Sequence, residues 1–269
     1  MERLNTTVGI IGAGSMGGAI AKGLVASGAL EPASVWAADP SASCREALQQ
    51  QGIHVLERAD ELVAQNTEVV IIAVKPQVLV DVMAPLADSL AGRLVVSIAA
   101  GVPLATLEEL LPGSQVVRVM PNLPIQVLSG ATAIAPGARA NGDQVELVRS
   151  LFAALGSAQV MREDQLDAEG AVVSCGPAYI ALFIDALTRA GVRSGLPAAA
   201  CREMVEATML GVAKTLLQSG EHPRAYMERV TSPGGTTAAG LYELEPLLLE
   251  GAYAAVDGAL VRTIELANG

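Results

Sequence analysis

Short apolar runs alternate with longer segments of helical periodicity through the first 160 residues. Six runs are continuous, rich in β-branched residues and bounded by turn residues, which predicts strands at residues 6–11, 35–38, 68–74, 94–99, 116–120 and 131–135. Helical patterns lie between several of them, at residues 15–27, 43–50 and 78–90. Uninterrupted apolar strands separated by helices predict a parallel sheet covered on both faces, a doubly wound α/β arrangement.

The strand pattern ends near Glu163, and only helical periodicity continues to the C-terminus. We therefore predict two domains, an α/β domain over residues 1–162 and an all-helical domain over residues 163–269. Apolar residues occupy more than one face of the later helices, as at Val205, Met209 and Val212. Such helices need a protein partner.

Composition narrows the function classes. Hydrophobic residues make up 51% of the 269 residues and charged residues 17%, so the chain can form a core. The net charge of −11 disfavours nucleic acid and anionic membrane as partners. Purely apolar runs such as residues 69–74 are shorter than the roughly 18 residues that span a bilayer. Because no signal peptide is visible before the first strand, we expect a soluble cytoplasmic protein.

Cysteine and histidine are scarce. The three cysteines, Cys44, Cys175 and Cys201, are too few and too scattered for a disulfide framework or a thiolate metal site, so no metal is expected. His54 and His222 are the two histidines of the sequence. A mechanism with a histidine base would therefore have to use one of these two.

A glycine motif lies between the first predicted strand and the first predicted helix. Gly12-Ala13-Gly14-Ser15-Met16-Gly17 has the G-x-G-x-x-G spacing. The first glycine permits a tight turn, the second lets backbone approach a pyrophosphate, and the third allows close packing of helix on strand. Amides at the helix N-terminus then face the phosphates, which predicts a dinucleotide on Gly12, Gly14, Ser15 and Met16.

Asp39 ends the second predicted strand, where a carboxylate accepts hydrogen bonds from the adenosine ribose and repels a 2′-phosphate. This position favours NADH. A strand-ending Asp-Pro turn is the alternative. Ser41, Ser43 and Arg45 could still receive a phosphate, so both NADPH and NADH remain open.

Two further strand ends meet the same edge of the predicted sheet. Val74 ends the third strand and Lys75 follows it, and Ala100 follows the fourth. Ligands of doubly wound sheets bind at this edge. We expect these three residues to contribute to the cofactor site, and the small residues around Ala100 to leave room for a nicotinamide ring.

A second glycine turn lies in the helical half, Ser232-Pro233-Gly234-Gly235-Thr236-Thr237. Ser232 suits a helix N-cap and Pro233 the first helical position. Two glycines in a first turn each cost about 0.8–1 kcal/mol relative to alanine, which favours a ligand approaching bare amides. The turn predicts a carboxylate or phosphate site oriented by the two threonines, with a flexible loop as the alternative.

Taken in order, the motifs resemble those of the pyrroline-5-carboxylate reductase family. The matching segments cover nearly the whole chain: Ile11-Gly12-Ala13-Gly14 with Met16-Gly17, Ala73-Val74-Lys75-Pro76, Ala99-Ala100-Gly101-Val102, Arg118-Val119-Met120-Pro121-Asn122, Gly176-Pro177-Ala178-Tyr179 and Ser232-Pro233-Gly234-Gly235-Thr236-Thr237. The last segment is highly specific. The first is shared by many unrelated oxidoreductases.

The resemblance implies a Rossmann-type sheet followed by an all-helical dimerisation domain, in a homodimer or a larger ring of dimers. It also implies reduction of L-1-pyrroline-5-carboxylate to L-proline by NAD(P)H. Gly235, Thr236 and Thr237 would then bind the carboxylate of this small-molecule substrate. The Thr237 hydroxyl would lie near the ring nitrogen as the catalytic group, and Glu163 would lie near the substrate.

The chain departs from the family pattern at a few positions. Leu123 stands where threonine is common, and Val173-Ser174-Cys175 where members have Ser-Gly-Ser. Members that prefer NADPH often have a hydroxyl at the position of Asp39 and an asparagine at that of Ala59. These departures concern cofactor preference and local packing.

Two other functions remain as alternatives. A reductase of hydroxyacids or other imines would share the two-domain organisation. β-Hydroxyacid dehydrogenases generally use a lysine on the long interdomain helix, whereas Lys214 is the one lysine of the helical half. A non-catalytic NAD(P)-binding sensor would bind the dinucleotide without turnover.

Overall fold

Eight strands in the described part of the chain form one sheet. The computed structural model describes residues 3–268. The strands are β1 (Val8–Ile11), β2 (Val35–Ala38), β3 (His54–Leu56), β4 (Val69–Ile72), β5 (Leu94–Ser97), β6 (Gln115–Pro121), β7 (Gly130–Pro136) and β8 (Gly156–Val160). Their order in the sheet is β3-β2-β1-β4-β5-β6-β7-β8.

The order reverses between β1 and β4. Val8 of β1 is paired with Val35 of β2 on one side and with Val69 of β4 on the other, and both pairings are parallel. The order of β1 to β6 is that of a Rossmann-type sheet, in which ligands bind at the carboxyl ends of the strands beside this reversal. The prediction of a doubly wound α/β fold is therefore confirmed.

The sheet is not parallel throughout, which corrects the sequence prediction. β7 runs antiparallel to β6, whereas β8 is parallel to β7. The link between β6 and β7 holds only a short 3₁₀ turn, Leu123–Val127, and Leu128 then adopts a positive φ of 55°. A link this short cannot hold a crossover helix, so the chain returns as a hairpin.

Helices cover both faces of the sheet. The helices of the described residues are, in chain order, α1 (Ser15–Ala26), α2 (Ala42–Gln49), α3 (Ala59–Val63), α4 (Pro76–Met83), α5 (Leu104–Leu110), α6 (Gly142–Ala153), α7 (Leu166–Glu169), α8 (Gly176–Arg193), α9 (Ala198–Ser219), α10 (Pro223–Arg229) and α11 (Thr236–Asn268), and those before α8 pack on the sheet. Residues of the central strands alternate between two buried clusters: Ile71 joins one with Leu24 of α1, and Ile72 joins the other with Leu79 of α4.

Contacts between residues divide the chain into two compact units. One contains the residues up to Ser174 together with those from Leu260 onward, and the other is Cys175–Ala259. Glu163, which was expected to open the helical domain, belongs to the first unit, and Leu166 is fully buried in one of the sheet's clusters. The boundary between residues 162 and 163 stays a prediction.

The second unit is helical, as the sequence predicts. α8 and α9 form a hairpin in which Gly191 lies so close to Cys201 that a methyl group on Gly191 would collide with the Cys201 sulfur. Cys201 is 3% exposed, and its thiol donates to the carbonyl of Thr188 at 3.6 Å. The absence of a side chain at Gly191 therefore sets how closely the two helices approach.

One helical stretch is longer and more apolar than the runs identified in the sequence. Glu163–Arg193 is long and apolar enough, by length and composition alone, to cross a membrane. The sequence prediction considered uninterrupted apolar runs. The mean hydropathy of this stretch is high although it contains a few polar residues. Its side chains are mostly exposed in the single chain, including Ile180 and Leu182 of α8.

Candidate active site

The first glycine turn has the shape that a pyrophosphate requires. Gly12 has a φ of +95°, and a methyl group there would lie 2.9 Å from the carbonyl of Ala73. A methyl group on Gly17 would collide with the Gly12 carbonyl, so the third glycine allows α1 to pack against the turn. By contrast, nothing lies within 4 Å of a methyl group on Gly14. Gly14 therefore opens a space beside the first turn of α1.

The N-terminus of α1 faces this space without a cap. Gly14 is the N-cap residue and has no side chain to accept a hydrogen bond from the first-turn amides, and that turn contains no acidic residue. Uncapped amides and the helix dipole both favour an anion at this position. The turn thus fits the phosphates of a dinucleotide.

A groove of about 730 Å³ runs along the carboxyl ends of β1, β2 and β4. Five of the predicted cofactor residues line it: Gly12, Gly14, Asp39, Val74 and Lys75. Its remaining wall includes apolar side chains of α4 and the charged residues at the start of α3. The structure therefore brings most of the predicted cofactor residues together in one elongated cavity.

Three predicted cofactor residues lie elsewhere. Ser15 lines a neighbouring cavity of about 420 Å³ together with Lys22 and Ser43. Met16 is half-buried and packs against one of the hydrophobic clusters. Ala100 is exposed in the loop after β5. Their contacts with a cofactor stay predictions.

Asp39 has a structural role that the sequence did not predict, namely a contact with the glycine turn. Its carboxylate accepts hydrogen bonds from the backbone amides of Ala13, at 2.7 Å, and Ser41, at 2.8 Å. The side chain at the end of β2 thus holds the glycine turn after β1. A strand-ending acidic residue next to a glycine turn could have suggested this contact.

Glu163 is engaged within the first unit. Its Oε1 accepts a 2.6 Å hydrogen bond from the amide of Leu104, the first residue of α5, and a 3.0 Å hydrogen bond from Arg118 Nη1. Arg118 is 5% exposed, and its Nε finds no partner among the described residues. Glu163 therefore fixes the N-terminus of α5 and neutralises a buried arginine, and its contact with substrate stays a prediction.

A hydrogen-bonded segment lies at the carboxyl end of β6. Asn122 accepts from the amide of Ala131 at 2.8 Å and donates to the carbonyl of Val173 at 3.2 Å. Val173 belongs to a π-helical turn, Gly170–Ser174, a distortion that frequently occurs at functional sites. No sequence signal identified this turn.

Glu169 precedes the π-helical turn, and burial raises the pKa of its carboxyl from 4.5 to about 7. The Ser174 hydroxyl donates to this carboxylate at 3.3 Å, which partly offsets the effect of burial on the pKa. Glu169 stands outside the residues that the sequence analysis selected. A half-buried glutamate that protonates near neutral pH makes stability depend on pH.

We expect Glu169→Gln to stabilise the protein at pH 8 and to have little effect at pH 5. Because the folded-state pKa is raised, the stabilisation from the protonated carboxyl is complete below about pH 4.5 and is lost as the pH rises through about 7. After allowance for solvent screening of a half-exposed group, the gain at pH 8 is about 1–2 kcal/mol. Urea unfolding across this range measures it.

Glu109→Gln, at an exposed position of α5, is the control for loss of one negative charge. The two variants should differ increasingly as the pH rises. Parallel pH profiles of the unfolding free energy for both variants would contradict the assignment.

The second glycine turn differs from the sequence prediction. α11 begins at Thr236, not at Pro233, so both glycines precede the helix. Gly234 has a φ of +68°, and a methyl group on Gly235 would collide with the Ser232 hydroxyl. The expectation erred because Ser232 and Pro233 suit a helix start, whereas the left-handed conformation at Gly234 delays the helix by three residues.

The corrected turn still presents amides to an anion. Thr236 and Thr237 are exposed in the first turn of α11, which contains no acidic side chain. Gly235 accepts from the amide of Ala239 at 3.2 Å, and this bond starts the helix. The first-turn amides and both hydroxyls are therefore available on the surface of this unit.

Both histidines have structural contacts. His54 stacks on Trp36, with ring centroids 4.1 Å apart, and His222 accepts from the amide of Arg224 at 3.1 Å as the N-cap of α10. Within residues 3–268, no group of three or more histidine, cysteine, aspartate or glutamate side chains could hold a metal ion.

Two family models match the chain. The model for pyrroline-5-carboxylate reductase dimerisation matches residues 163–266, and the model for the coenzyme F420-dependent NADP oxidoreductases matches residues 7–101. The first model covers the apolar helices, and the second covers the glycine turn and the groove.

Relatives match along nearly the whole chain. A pyrroline-5-carboxylate reductase of Synechocystis is 38% identical over 98% of this chain and 99% of its own length, and that of Escherichia coli is 38% identical over 96% of each. The structure of the Coxiella burnetii pyrroline-5-carboxylate reductase has a TM-score of 0.92 at 32% identity and covers 98% of this chain and 99% of its own. A Plasmodium falciparum pyrroline carboxylate reductase structure with NADP bound has a TM-score of 0.86 at 27% identity, covering 99% and 100%. Because relatives of 38% identity cover nearly the whole chain and the fold agrees with theirs, the chain belongs to the pyrroline-5-carboxylate reductase family.

Proposed function

We propose that the chain reduces L-1-pyrroline-5-carboxylate to L-proline with a hydride from NADPH or NADH, the last step of proline biosynthesis. The observation that carries this function is the match to curated pyrroline-5-carboxylate reductases over 98% of the chain. The chain is accordingly an NAD(P)H-dependent oxidoreductase, and its Rossmann-type groove supports this chemistry.

The first unit would hold the dinucleotide. Gly12 and Gly14 would accept the pyrophosphate with the amides of Ser15 and Met16, because the turn leaves open space beside an uncapped helix N-terminus. Asp39 would bind the adenosine ribose. The nicotinamide half would contact residues at the later strand ends: Val74, Lys75 and Ala100. When bound, the dinucleotide would supply the hydride to the substrate.

The second glycine turn would hold the substrate carboxylate. The first-turn amides of α11, beginning with Thr236, would donate hydrogen bonds to a carboxylate, and the Thr237 hydroxyl would orient the ring nitrogen. Gly235 would contribute close approach of the carboxylate, because its own amide already donates to the carbonyl of Ser232 at 2.9 Å. Glu163 would act near the substrate, in keeping with the family motif. Its bonds to Leu104 and Arg118 support an additional role in holding the loop after β5.

This reaction does not require a histidine base. A protonated cyclic imine is already electrophilic: hydride adds to the imine carbon, the carbon–nitrogen π electrons become the nitrogen lone pair, and an amine results. The protein has to orient donor and acceptor, and well-oriented pairs reach effective molarities of about 10⁵–10⁸ M. The structural roles of His54 and His222 are consistent with this chemistry.

The alternatives have less support. A hydroxyacid reductase would need a lysine acid on a long helix, but α8 contains no lysine and Lys214 lies on α9. A non-catalytic sensor would not need the second glycine turn with its exposed amides. Neither alternative accounts for the similarity across both parts of the chain.

The helical half supports a proposal about assembly, and the cysteines support one about location. The dimerisation model covers residues 163–266, which supports an oligomer in which the apolar side chains of α8 and α9 contact a second copy of the chain. We propose a homodimer, or a larger ring of dimers. Three unpaired cysteines suit the reducing cytoplasm, the location that we propose.

A spectrophotometric assay tests the function. Oxidation of NADH or NADPH on addition of L-1-pyrroline-5-carboxylate, with formation of L-proline, is the expected result. Binding of the dinucleotide without its oxidation would favour the sensor. Oxidation of NADH or NADPH only with a 3-keto acid, or reduction of NAD⁺ or NADP⁺ only with the corresponding 3-hydroxyacid, would favour the hydroxyacid reductase.

A further inference from the structure

The adenosine end of the groove contains a fixed carboxylate. Both oxygens of Asp39 accept hydrogen bonds from backbone amides, those of Ala13 and Ser41. Rotating the carboxylate away would leave two amides without their acceptor, which is costly. A ligand at this end of β2 therefore meets a negative charge that cannot move aside.

Arg45 reinforces the same loop. Its Nη1 donates to the carbonyl oxygens of Asp39, at 2.7 Å, and Pro40, at 2.9 Å, and its Nη2 lies 3.7 Å from Glu57. The guanidinium is thus engaged by the main chain and by one carboxylate. It supports the loop after β2 and is not a free receptor for an anion.

Arg58 lines the groove with its guanidinium already paired. Its Nε donates to one carboxylate oxygen of Asp60 at 2.9 Å, and its Nη2 donates to the other at 2.6 Å. Both residues line the same cavity as Asp39 and Glu57. This two-bond geometry is the one in which an arginine binds a carboxylate or a phosphate. Asp60 therefore occupies the face of Arg58 that a phosphate would need.

We propose that the adenosine end of the groove selects NADH over NADPH, and that Asp60 is a specificity-determining residue because it pairs with Arg58. The inference rests on the proposed function only in that the groove binds a nicotinamide dinucleotide. A 2′-phosphate carries about −1.5 to −2 charges near neutral pH and would meet the carboxylates of Asp39, Glu57 and Asp60. An unphosphorylated ribose can instead donate its 2′-hydroxyl to Asp39.

Isothermal titration calorimetry with NAD⁺ and NADP⁺ tests the proposal without turnover. The wild type should bind NAD⁺ at least tenfold more tightly than NADP⁺. Asp60→Asn should tighten NADP⁺ binding about five- to tenfold and change NAD⁺ binding less than twofold, because it frees Arg58 for the phosphate. Adding Arg58→Gln to Asp60→Asn should abolish that gain. Asp88→Asn, an exposed carboxylate outside the groove, controls for net charge.

Three results of these titrations would contradict the proposed NADH preference or its explanation. Tighter binding of NADP⁺ than NAD⁺ by the wild type would overturn the proposal, as would an Asp60→Asn variant whose preference equals that of Asp88→Asn. A gain in NADP⁺ affinity that survives Arg58→Gln would show that Asp60 acts by charge alone and would overturn the role of Arg58. If the wild type bound neither dinucleotide, the proposed function itself would fail.

Discussion

Gly14→Val is expected to raise the Kd for NADH at least about 100-fold while the melting temperature stays within about 2 °C of the wild type. Nothing lies within 4 Å of a methyl group placed at this position, so we expect the folded protein to accommodate a larger side chain. Valine would fill the space beside the uncapped N-terminus of α1, where the pyrophosphate needs close contact with amides. Calorimetry with NADH measures the loss.

Two comparisons sharpen this prediction. Gly142→Val, at the first position of α6, also has nothing within 4 Å and lies outside the groove, so it should leave both affinity and stability unchanged. Gly12→Ala should instead destabilise the fold, because its φ of +95° and the 2.9 Å approach to Ala73 exclude a side chain. If a folded Gly14→Val variant bound NADH tightly, the phosphates of the dinucleotide would not bind at this turn.

Thr237→Ala is expected to lower kcat/KM for L-1-pyrroline-5-carboxylate about 10- to 100-fold, with NADH binding unchanged. The substitution removes one hydroxyl at the start of α11, and a hydrogen bond to a charged group contributes about 1.5–3 kcal/mol. The side chain is exposed, so its loss should not disturb packing within its own unit. Steady-state kinetics with varied substrate, at saturating NADH, measures the change.

Thr237→Ser is the matched variant, since it keeps the hydroxyl and removes only a methyl group. It should retain at least about a third of the wild-type kcat/KM if the hydroxyl acts on the substrate. Wild-type kinetics in Thr237→Ala would show that this hydroxyl has no part in the reaction. Equal losses in the alanine and serine variants would assign the effect to the methyl group.

Periodicity predicted those parts of the fold that depend on continuous burial. All four residues of β1 are buried, and so are all four of β4, which is why both appear as uninterrupted apolar runs. β3 has only three residues and β8 is mostly exposed, so neither gives a clear pattern. The direction of β7 depends on the length of the preceding link and was therefore missed.

The candidate site was predictable where backbone geometry demands a particular residue type. Gly12 and Gly14 were found because only glycine provides the turn and the open space. Contacts between distant segments were not predictable, since the bonds from Glu163 to Leu104 and Arg118 join residues 59 and 45 positions apart. The raised pKa of Glu169 likewise depends on burial, which its local sequence does not specify.

The two borders of the sheet limit how the protein can aggregate. The edge strands are β3 and β8. β3 is only three residues long, and β8 carries polar and exposed residues, so neither edge offers a long, flat, apolar strand to another sheet. Short polar edge strands resist the strand-to-strand addition that leads to fibrils. The sheet edges therefore give another chain little opportunity to add a strand, and the exposed apolar side chains, most of which lie on helices, are the surface left for self-association at high concentration.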